Sequence, residues 1–203
     1  MIIRKEKQSE QKQVENLVRE AFWDVYMPGC SEHYLTHLLR QSPIFIPELS
    51  FVAEEGGQLV GMIYYTKAQI KQKDKELSLV SFGPLAVLPD RQKKGIASQL
   101  IYHTIELAKS RKIDAIVIYG NPQYYERFGF EAGEKYGVAD SQGNFCDALL
   151  VLKLTDKDVD LSGRYMEDDI YHIDNAALKA FDSAFPAKQK HKLPTQLFDG
   201  PLD

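Results

Sequence analysis

The N-terminal part of the chain has apolar residues at helical spacing. They recur three and four positions apart, at Val14, Leu17, Val18, Ala21 and Phe22. This spacing predicts an amphipathic helix with one buried face, and we expect Ser9 to be its N-cap. Pro28-Gly29 interrupts the pattern, and a second helix capped by Ser31 is predicted after it. Apolar residues 2–3 predict a short strand before both helices.

The pattern then changes to that of strands. Three apolar segments, at residues 51–53, 59–65 and 77–87, predict an antiparallel meander, and Glu55-Gly56-Gly57 provides a hairpin-type turn. Gly83-Pro84 lies within the last of these strands. Because proline donates no hydrogen bond to a ladder and glycine relaxes the backbone, we expect a bulge or a splayed strand there.

A helix and two further strands follow. Residues 95–112 have one apolar face, which predicts a helix, and the continuous apolar run at 115–119 is typical of a strand covered on both faces. Strand, helix and strand in this order predict a parallel crossover. A short helical stretch is predicted at 123–127, and a last strand is predicted at 148–152. The predicted sheet is therefore mixed, and the fold class is α/β, of the α+β type.

The predicted elements form one domain with an appendage. At 203 residues the chain is long enough for one well-filled core and short for two full domains. We assign residues 1–155 to the domain and 156–203 to a C-terminal extension packed on it. A helix capped by Asp174 and ending near Pro186 is predicted within the extension.

Composition and charge exclude several classes of function. The net charge of −4 provides no broad positive field, so we expect no nucleic-acid partner. Cys30 and Cys146 lie far apart without CxxC spacing, which argues against a disulfide framework and a zinc site. Charge interrupts the apolar start of the chain, and no apolar run reaches the roughly 20 residues that span a bilayer. We therefore expect a cytoplasmic protein with free thiols, no membrane segment and no metal.

The turn between the strand at 77–87 and the following helix is a candidate phosphate site. The N–H groups that begin a helix have no internal partner and carry the positive end of its dipole. Gly95 and Ala97 leave the backbone open to a ligand, and Lys93 and Lys94 add positive charge. From the turn alone, a plain chain reversal with solvated charges is an equal alternative. The missing G-x-G-x-x-G and G-x-x-x-x-G-K-[ST] patterns argue against a Rossmann site and a P-loop.

Two separated motifs give the chain a family resemblance. Gln92, Gly95 and Ala97 match [RQ]-x-x-G-x-[GA] at the end of a strand. The segment from Tyr124 to Phe130 contains a match to Y-x-x-x-G-F further downstream. In both motifs, and in the elements around them, the chain resembles the GNAT superfamily of acyl-CoA-dependent N-acyltransferases over about residues 1–154.

The resemblance implies a binding site for acetyl-CoA. In this family helices cover both faces of a mostly antiparallel sheet, and the fourth strand splays from the parallel fifth strand to admit pantetheine. Residues 82–87 and 120–125 are similar to a bacterial branch of predicted acetyltransferases that commonly carries a C-terminal extension. The cofactor-binding residues implied are Leu85, Ala86 and Val87 on the fourth strand, Gln92, Lys93, Lys94, Gly95, Ile96, Ala97 and Ser98 at the pyrophosphate turn, and Asn121.

One tyrosine is the candidate catalytic residue. Tyr125 matches the family tyrosine that lies near the sulfur of the cofactor. A phenol with an ordinary pKa of about 10 is protonated at neutral pH and can protonate a departing thiolate. We interpret Tyr125 as the general acid; the alternative is that its ring only packs beside Phe128 and Phe130. A backbone N–H near Leu85 or Ala86 is expected to stabilise the oxyanion.

The general base and the acceptor-binding residues stay open at this point. Glu54, Glu55 and Glu76 are candidate bases, although solvated strand-end charges are the simpler interpretation. In the family the first two helices and their connection shape the acceptor pocket, so the candidates for acceptor selection are Trp23, Tyr26, His33 and His37. The alternative is an aromatic core with surface histidines. A metal role is disfavoured because Tyr34 stands where a zinc-protease helix has glutamate.

The resemblance implies an N-acetyltransferase acting on a primary amine. Direct transfer is expected, because no cysteine lies beside the motifs as a covalent carrier. A small-molecule amine is the leading acceptor, and a protein N-terminus or lysine is the alternative. A CoA-binding sensor without turnover is an alternative from another class. A homodimer is also compatible with the sequence.

Overall fold

A mixed sheet with helices on both faces forms the core of the protein. The computed structural model describes residues 1–72 and 77–198. The strands in these residues are β1 (Ile2–Arg4), β2 (Phe51–Glu55), β3 (Gln58–Lys71), β4 (Leu79–Val87), β5 (Ala115–Tyr119), β6 (Glu131–Ala132), β7 (Val138–Ala139), β8 (Leu149–Lys153) and β9 (Gly163–Met166). The α-helices are α1 (Gln11–Phe22), α2 (Glu32–Leu39), α3 (Ile96–Ser110), α4 (Pro122–Tyr125) and α5 (Asn175–Asp182).

The sheet is mostly antiparallel, as the sequence predicts. Its main order is β1-β2-β3-β4-β5-β8-β6, and β9 pairs with both β3 and β7. In the main path only β4 and β5 run parallel, and α3 connects them. The predicted fold class, with helices on both faces and a splayed parallel pair, is confirmed.

Two apolar clusters hold helices against opposite faces of the sheet. On one face α3 buries Ile96, Leu100 and Ile105 against β3, β4 and β5. On the other face α1 buries Val14 and Val18 against strand residues of β2, β3 and β4. Burial of each large aliphatic side chain contributes about 1.5–3 kcal/mol to folding. These clusters fix the N-terminus of α3 and the C-terminus of α1 relative to β4.

Several local expectations need correction. Ser9 is not the N-cap of α1, because residues 8–10 form a 3-10 turn and Glu10 occupies the cap position. The Glu10 carboxylate accepts from the Lys7 N–H at 2.9 Å and from Arg4 at 2.7 Å, which stabilises this extra turn. Strand β3 extends to residue 71, well past the predicted end. Short strands β6, β7 and β9 were not predicted, since their few residues lack a periodic pattern.

The other local signals agree with the structure. Ser31 occupies the N-cap position of α2, although its side chain makes no cap hydrogen bond. The Asp174 side chain caps α5 through the N–H of Ala177. Gly56 and Gly57 form the turn between β2 and β3 with positive φ angles, as glycine permits. Both cysteines are free thiols, one buried and one exposed.

The C-terminal segment from residue 163 contacts the rest of the chain at several places, of which three involve the sheet and α1. Strand β9 pairs with the end of β3 and with β7. The Tyr171 hydroxyl lies 2.9 Å from the Thr66 hydroxyl on β3. Asp182 on α5 binds the buried Arg19 of α1 at 2.7 Å. The segment therefore completes the face of the sheet that carries α1 and α2.

Gly61 allows α3 to approach β3 closely. A Cβ at this position would lie 3.0 Å from Ile96 Cγ2 and 3.1 Å from the Ala86 carbonyl oxygen. We expect Gly61→Ala to lower the free energy of unfolding by about 1–3 kcal/mol through overpacking, measured by urea denaturation. The loss should shrink in an Ile96→Ala background, where the contacting methyl is gone. An equal loss in both backgrounds would contradict this account.

Candidate active site

The edge of β4 that faces β5 is unpaired over most of its length. Among the described residues, the two strands pair only at Leu79 with Ala115 and at Val80 with Ile116. On its other edge β4 pairs with β3 as far as Val87. Backbone groups at an unpaired edge inside a protein need hydrogen-bond partners. An extended ligand that carries amide groups could provide them.

A bulge in β4 accompanies this separation. Tyr65 lies opposite Phe82 and Ile63 opposite Leu85, so three steps along β4 match two along β3. The additional residue falls at Gly83-Pro84, where the sequence predicts a bulge. Beyond it, Ala86 packs against the α1 cluster and Val87 against the α3 cluster, while Leu85 is half-buried. The strand that the resemblance assigns to pantetheine binding therefore presents its backbone groups to a ligand.

The turn after β4 leads to an uncapped helix N-terminus. Within α3 the hydrogen-bond ladder begins with the N–H of Gln99 donating to the Gly95 carbonyl at 3.0 Å, and no side chain caps the helix. The N–H groups of Ile96, Ala97 and Ser98 have no acceptor within the helix. The Gln92 side chain donates to the Val87 carbonyl at 3.2 Å and so ties the turn to β4.

The backbone of this turn requires glycine at one position. Gly95 has φ +81°, a left-handed conformation that costs other residues roughly 1–2 kcal/mol. Lys93 also adopts a positive φ, of +60°, and both Lys93 and Lys94 are exposed. The positive ammonium groups and the helix dipole favour an anion at this turn. The geometry therefore fits a pyrophosphate.

Tyr125 lies beside the bulge of β4. Its ring centroid is 5.8 Å from that of Phe82 and 5.7 Å from that of Phe130. A Cβ at residue 120 would overlap the Tyr125 ring, so Gly120 at the end of β5 allows the ring its position. The sequence analysis includes Gly120 in the family-like segment 120–125 but assigns it no role in positioning Tyr125. Burial, with smaller contributions from Tyr124 and Tyr26, raises the pKa of Tyr125 above its ordinary value.

Other residues predicted for the site form hydrogen bonds or ion pairs with neighbouring residues. The Asn121 side chain accepts from the Gln123 N–H at 3.0 Å and caps α4. Among the candidate bases, Glu54 on β2 pairs with Arg4 on the neighbouring edge strand β1 at 2.6 Å. Glu55 pairs with Arg91 at 3.2 Å. Glu76 lies outside the described residues.

Comparison with known proteins places the chain in a family. The model of the acetyltransferase (GNAT) domain matches residues 2–133. The chain belongs to the GNAT acetyltransferase family. The uncharacterized N-acetyltransferase YhbS of Escherichia coli is 30% identical over 132 residues, which cover 64% of this chain and 74% of that protein. YjhQ of Escherichia coli, also an uncharacterized N-acetyltransferase, is 35% identical over 91 residues, 44% of this chain and 50% of the length of YjhQ.

Solved structures share this GNAT fold. The structure of YhbS from Escherichia coli in complex with CoA superposes with a TM-score of 0.73 at 26% identity, over 85% of this chain and 92% of that one. A GNAT acetyltransferase from Brucella melitensis in complex with acetyl-CoA gives 0.67 at 26% identity, over 84% and 97%. The expected family and enzyme class are confirmed. Within the described part of this GNAT chain, none of the helices has the length and apolar character to cross a membrane.

The residues proposed for acceptor selection lie at different depths in this GNAT domain. His33 is fully buried, so the alternative that it is a surface histidine is wrong. The centroid of its ring lies 5.2 Å from that of Phe185. Burial lowers the pKa of His33 to about 4, so the ring is neutral at neutral pH. The His37 ring lies 3.0 Å from the Glu15 carboxylate. Trp23 and Tyr26 belong to the loop of residues 23–30 that joins α1 to α2.

The C-terminal segment holds this 23–30 loop. The Trp23 indole donates to the Gln189 carbonyl at 2.9 Å, and the Gln196 amide donates to the Asp24 carbonyl at 3.1 Å. The backbone N–H groups of residues 197 and 198 both lie 3.0 Å from the Tyr26 carbonyl. A cavity of about 670 Å³ separates part of the loop from α5 and is lined by Trp23 and Phe185 among others. These contacts tie the C-terminal segment to the connection between the first two helices.

The raised pKa of Tyr125 can be tested by titration. A phenol with an ordinary pKa is half ionised at about pH 10, whereas we expect Tyr125 to stay protonated there. The difference in tyrosinate absorbance between the wild type and Tyr125→Phe should therefore be absent at that pH. The wild type and Tyr125→Phe in denaturant provide the reference, because Tyr125 is not buried in the unfolded chain and its phenol should then ionise normally. A tyrosinate signal that appears near pH 10 in the folded wild type and is missing in Tyr125→Phe would contradict the structure.

Proposed function

We propose that this GNAT protein transfers an acetyl group from acetyl-CoA directly to the primary amine of a small molecule. Acetyl-CoA is the co-substrate of the family, and the two neighbouring structures hold CoA or acetyl-CoA. One arrangement carries the proposal. From Phe82, beside Tyr125, the unpaired edge of β4 continues to Val87 and then to the turn that begins α3. In acetyl-CoA the thioester, pantetheine and pyrophosphate follow one another in the same order. The thioester would lie at Tyr125, pantetheine along the open edge of β4, and the pyrophosphate at the turn before α3.

Each part of the chain has a role in this proposal. Backbone N–H groups at residues 93–98 bind the pyrophosphate, assisted by the charges of Lys93 and Lys94. Backbone groups of residues 85–87 pair with the pantetheine amides. The N–H of Leu85 or Ala86 stabilises negative charge on the acetyl oxygen. As the amine nitrogen bonds to the acetyl carbon and the carbon–sulfur bond breaks, Tyr125 donates its proton to the thiolate.

The buried cysteine Cys30 is a poor candidate for a covalent acetyl carrier. Cys30 is buried, and burial raises the pKa of its thiol far above the ordinary value. A thiol that stays protonated is a poor nucleophile. Cys146 is exposed. We expect a variant with both cysteines replaced by serine to keep its turnover, and a loss of turnover would favour a covalent acetyl carrier.

The extension has a supporting role in this proposal. We assign catalysis to residues 1–155 and treat residues 156–203 as an extension that orders the acceptor side. The contacts of α5 and of residues 189–198 with α1 and the 23–30 loop support this division. We further infer a cytoplasmic location, where acetyl-CoA is made and used.

A binding measurement tests the proposal that acetyl-CoA binds at the turn before α3. We expect Gly95→Ala to weaken acetyl-CoA binding about 5- to 30-fold, because alanine disfavours the left-handed turn by about 1–2 kcal/mol. Isothermal titration calorimetry measures this affinity. Gly143→Ala is the matched control, since Gly143 also has a positive φ, of +91°, but lies outside the turn. Equal affinities for both variants and the wild type would exclude the turn as the pyrophosphate site.

The acceptor half is tested by turnover. Wild-type protein mixed with acetyl-CoA and a panel of small amines should release the CoA thiol, and Tyr125→Phe should do so about 10²-fold more slowly or worse. Acetylation of peptides alone would replace the small-molecule acceptor with a protein. Binding of acetyl-CoA without acetyl loss on any acceptor would favour a sensor.

A further inference from the structure

Two hydroxyl side chains border the gap between β4 and β5 on the face of the sheet opposite α3. Phe82 and Ile118 pack in the cluster on the α3 face, together with the Tyr125 ring. Side chains alternate between the two faces along a strand. Ser81, the first residue of β4 after its last pair with β5, therefore points to the opposite face. Tyr119, the last residue of β5, points to that same face.

Tyr119 lies at the level of the bulge in β4. Continued beyond the last pair, the parallel register of β4 and β5 brings Tyr119 level with Gly83-Pro84. The next residue is Gly120, where a Cβ would overlap the Tyr125 ring. Since consecutive Cα atoms are about 3.8 Å apart, the Tyr119 backbone lies close to that ring. The side chains of Tyr119 and Tyr125 therefore flank one part of the gap from opposite faces.

The C-terminal extension covers the face that carries Ser81 and Tyr119. Tyr165 on β9 is buried, and its ring centroid lies 5.7 Å from that of Tyr119 in a T-shaped contact. The Tyr171 hydroxyl lies 2.9 Å from the Thr66 hydroxyl, and Thr66 is the cross-strand partner of Ser81. The extension thus places two phenols beside the mouth of the gap, on the side away from α3.

Of these three tyrosines, Tyr119 is the accessible one. Its side chain is 42% exposed, whereas Tyr165 is buried and Tyr171 is half-buried. The edge-to-face contact with Tyr165 orients the Tyr119 ring. The face of a tyrosine ring attracts a cation, because its quadrupole is negative there. A cationic group can therefore bind to Tyr119 at the mouth of the gap.

A carboxylate adds negative charge to this face. Met166 is the last paired residue of β9, so the alternation of the strand places Glu167 on the same side as Tyr165. Burial raises the pKa of Tyr119 to about 12, and the Glu167 charge acts in the same direction. The His172 ring acts on Glu167. Within residues 1–72 and 77–198, no lysine or arginine forms an ion pair with Glu167. These charges favour a cation over a neutral molecule.

We propose that the acceptor reaches the site from the face opposite α3, as a primary ammonium held by the Tyr119 ring and the Glu167 carboxylate. Acetyl-CoA fills the gap between β4 and β5, so the acceptor nitrogen meets the thioester across the gap from the Tyr125 ring. Part of the acceptor site then belongs to the C-terminal extension, which provides Glu167 and the ring of Tyr165. This inference rests on the proposed function.

Two probes of similar shape separate charge from simple ring contact. Phenethylamine is cationic at neutral pH, whereas phenethyl alcohol is neutral. In saturating CoA we expect the wild type to bind the amine about 5-fold more tightly than the alcohol or better, measured by calorimetry. Tyr119→Leu should weaken binding of the amine about 3- to 30-fold, and Tyr119→Phe should retain it, because phenylalanine keeps the ring face.

One further variant tests the charge, and a matched variant is the control. Glu167→Gln should reduce the preference for the amine and leave the affinity for the alcohol unchanged. Tyr102→Leu is the control, because Tyr102 is 51% exposed and contacts Phe128 in a T-shaped pair at 5.1 Å, but lies on α3. This variant should bind both probes as the wild type does. The affinity for CoA should be the same in all four variants.

The outcomes separate this inference from the proposed function. A wild type that binds neither probe, or both equally, would overturn the inference, and so would full amine affinity in Tyr119→Leu. A loss of CoA affinity in Tyr119→Leu would assign the residue to the cofactor site instead. Selective binding of the amine through Tyr119 and Glu167, without acetyl loss from acetyl-CoA on any amine, would support this site and overturn the proposed turnover.

Discussion

The pairing between β4 and β5 stops after two residue pairs, and the rest of the site depends on that separation. A strand that is paired along both edges has no backbone group left for a ligand. Here β3 satisfies one edge of β4, while the bulge at Gly83-Pro84 turns the strand and the other edge is left open. The same open edge ends at the turn of α3. Tight packing at Gly61 keeps α3 against β3, so the helix N-terminus and the strand edge form one continuous surface.

The parts of the structure that follow from local sequence were predictable. Gly95 requires a left-handed backbone, and its position between an apolar strand and an amphipathic helix predicts both the turn and the uncapped N-terminus. The bulge follows from the inability of proline to donate in a ladder. The parallel crossover through α3 follows from the order of apolar segments. Family resemblance added Tyr125, whose position beside Phe82 is consistent with an acid near the thioester.

The rest depends on contacts between residues far apart in sequence. The start of α1 was misplaced at Ser9 because the Glu10 carboxylate binds Arg4 and Lys7, a network that no local pattern reveals. Strand β9 pairs with β3 across nearly a hundred positions of sequence. The sequence alone is compatible with a surface position for His33, and its burial involves Phe181 and Phe185, about 150 positions away in sequence.

We propose that CoA occupies the open edge of β4 and the N-terminus of α3. The most direct measurement is a titration of isotope-labelled protein with CoA, followed by the backbone amide resonances in NMR spectra. We expect the largest shifts at residues 85–87 and 93–98, where N–H groups gain new acceptors. Unchanged resonances there, with shifts confined to the cavity lined by Trp23 and Phe185, would contradict it.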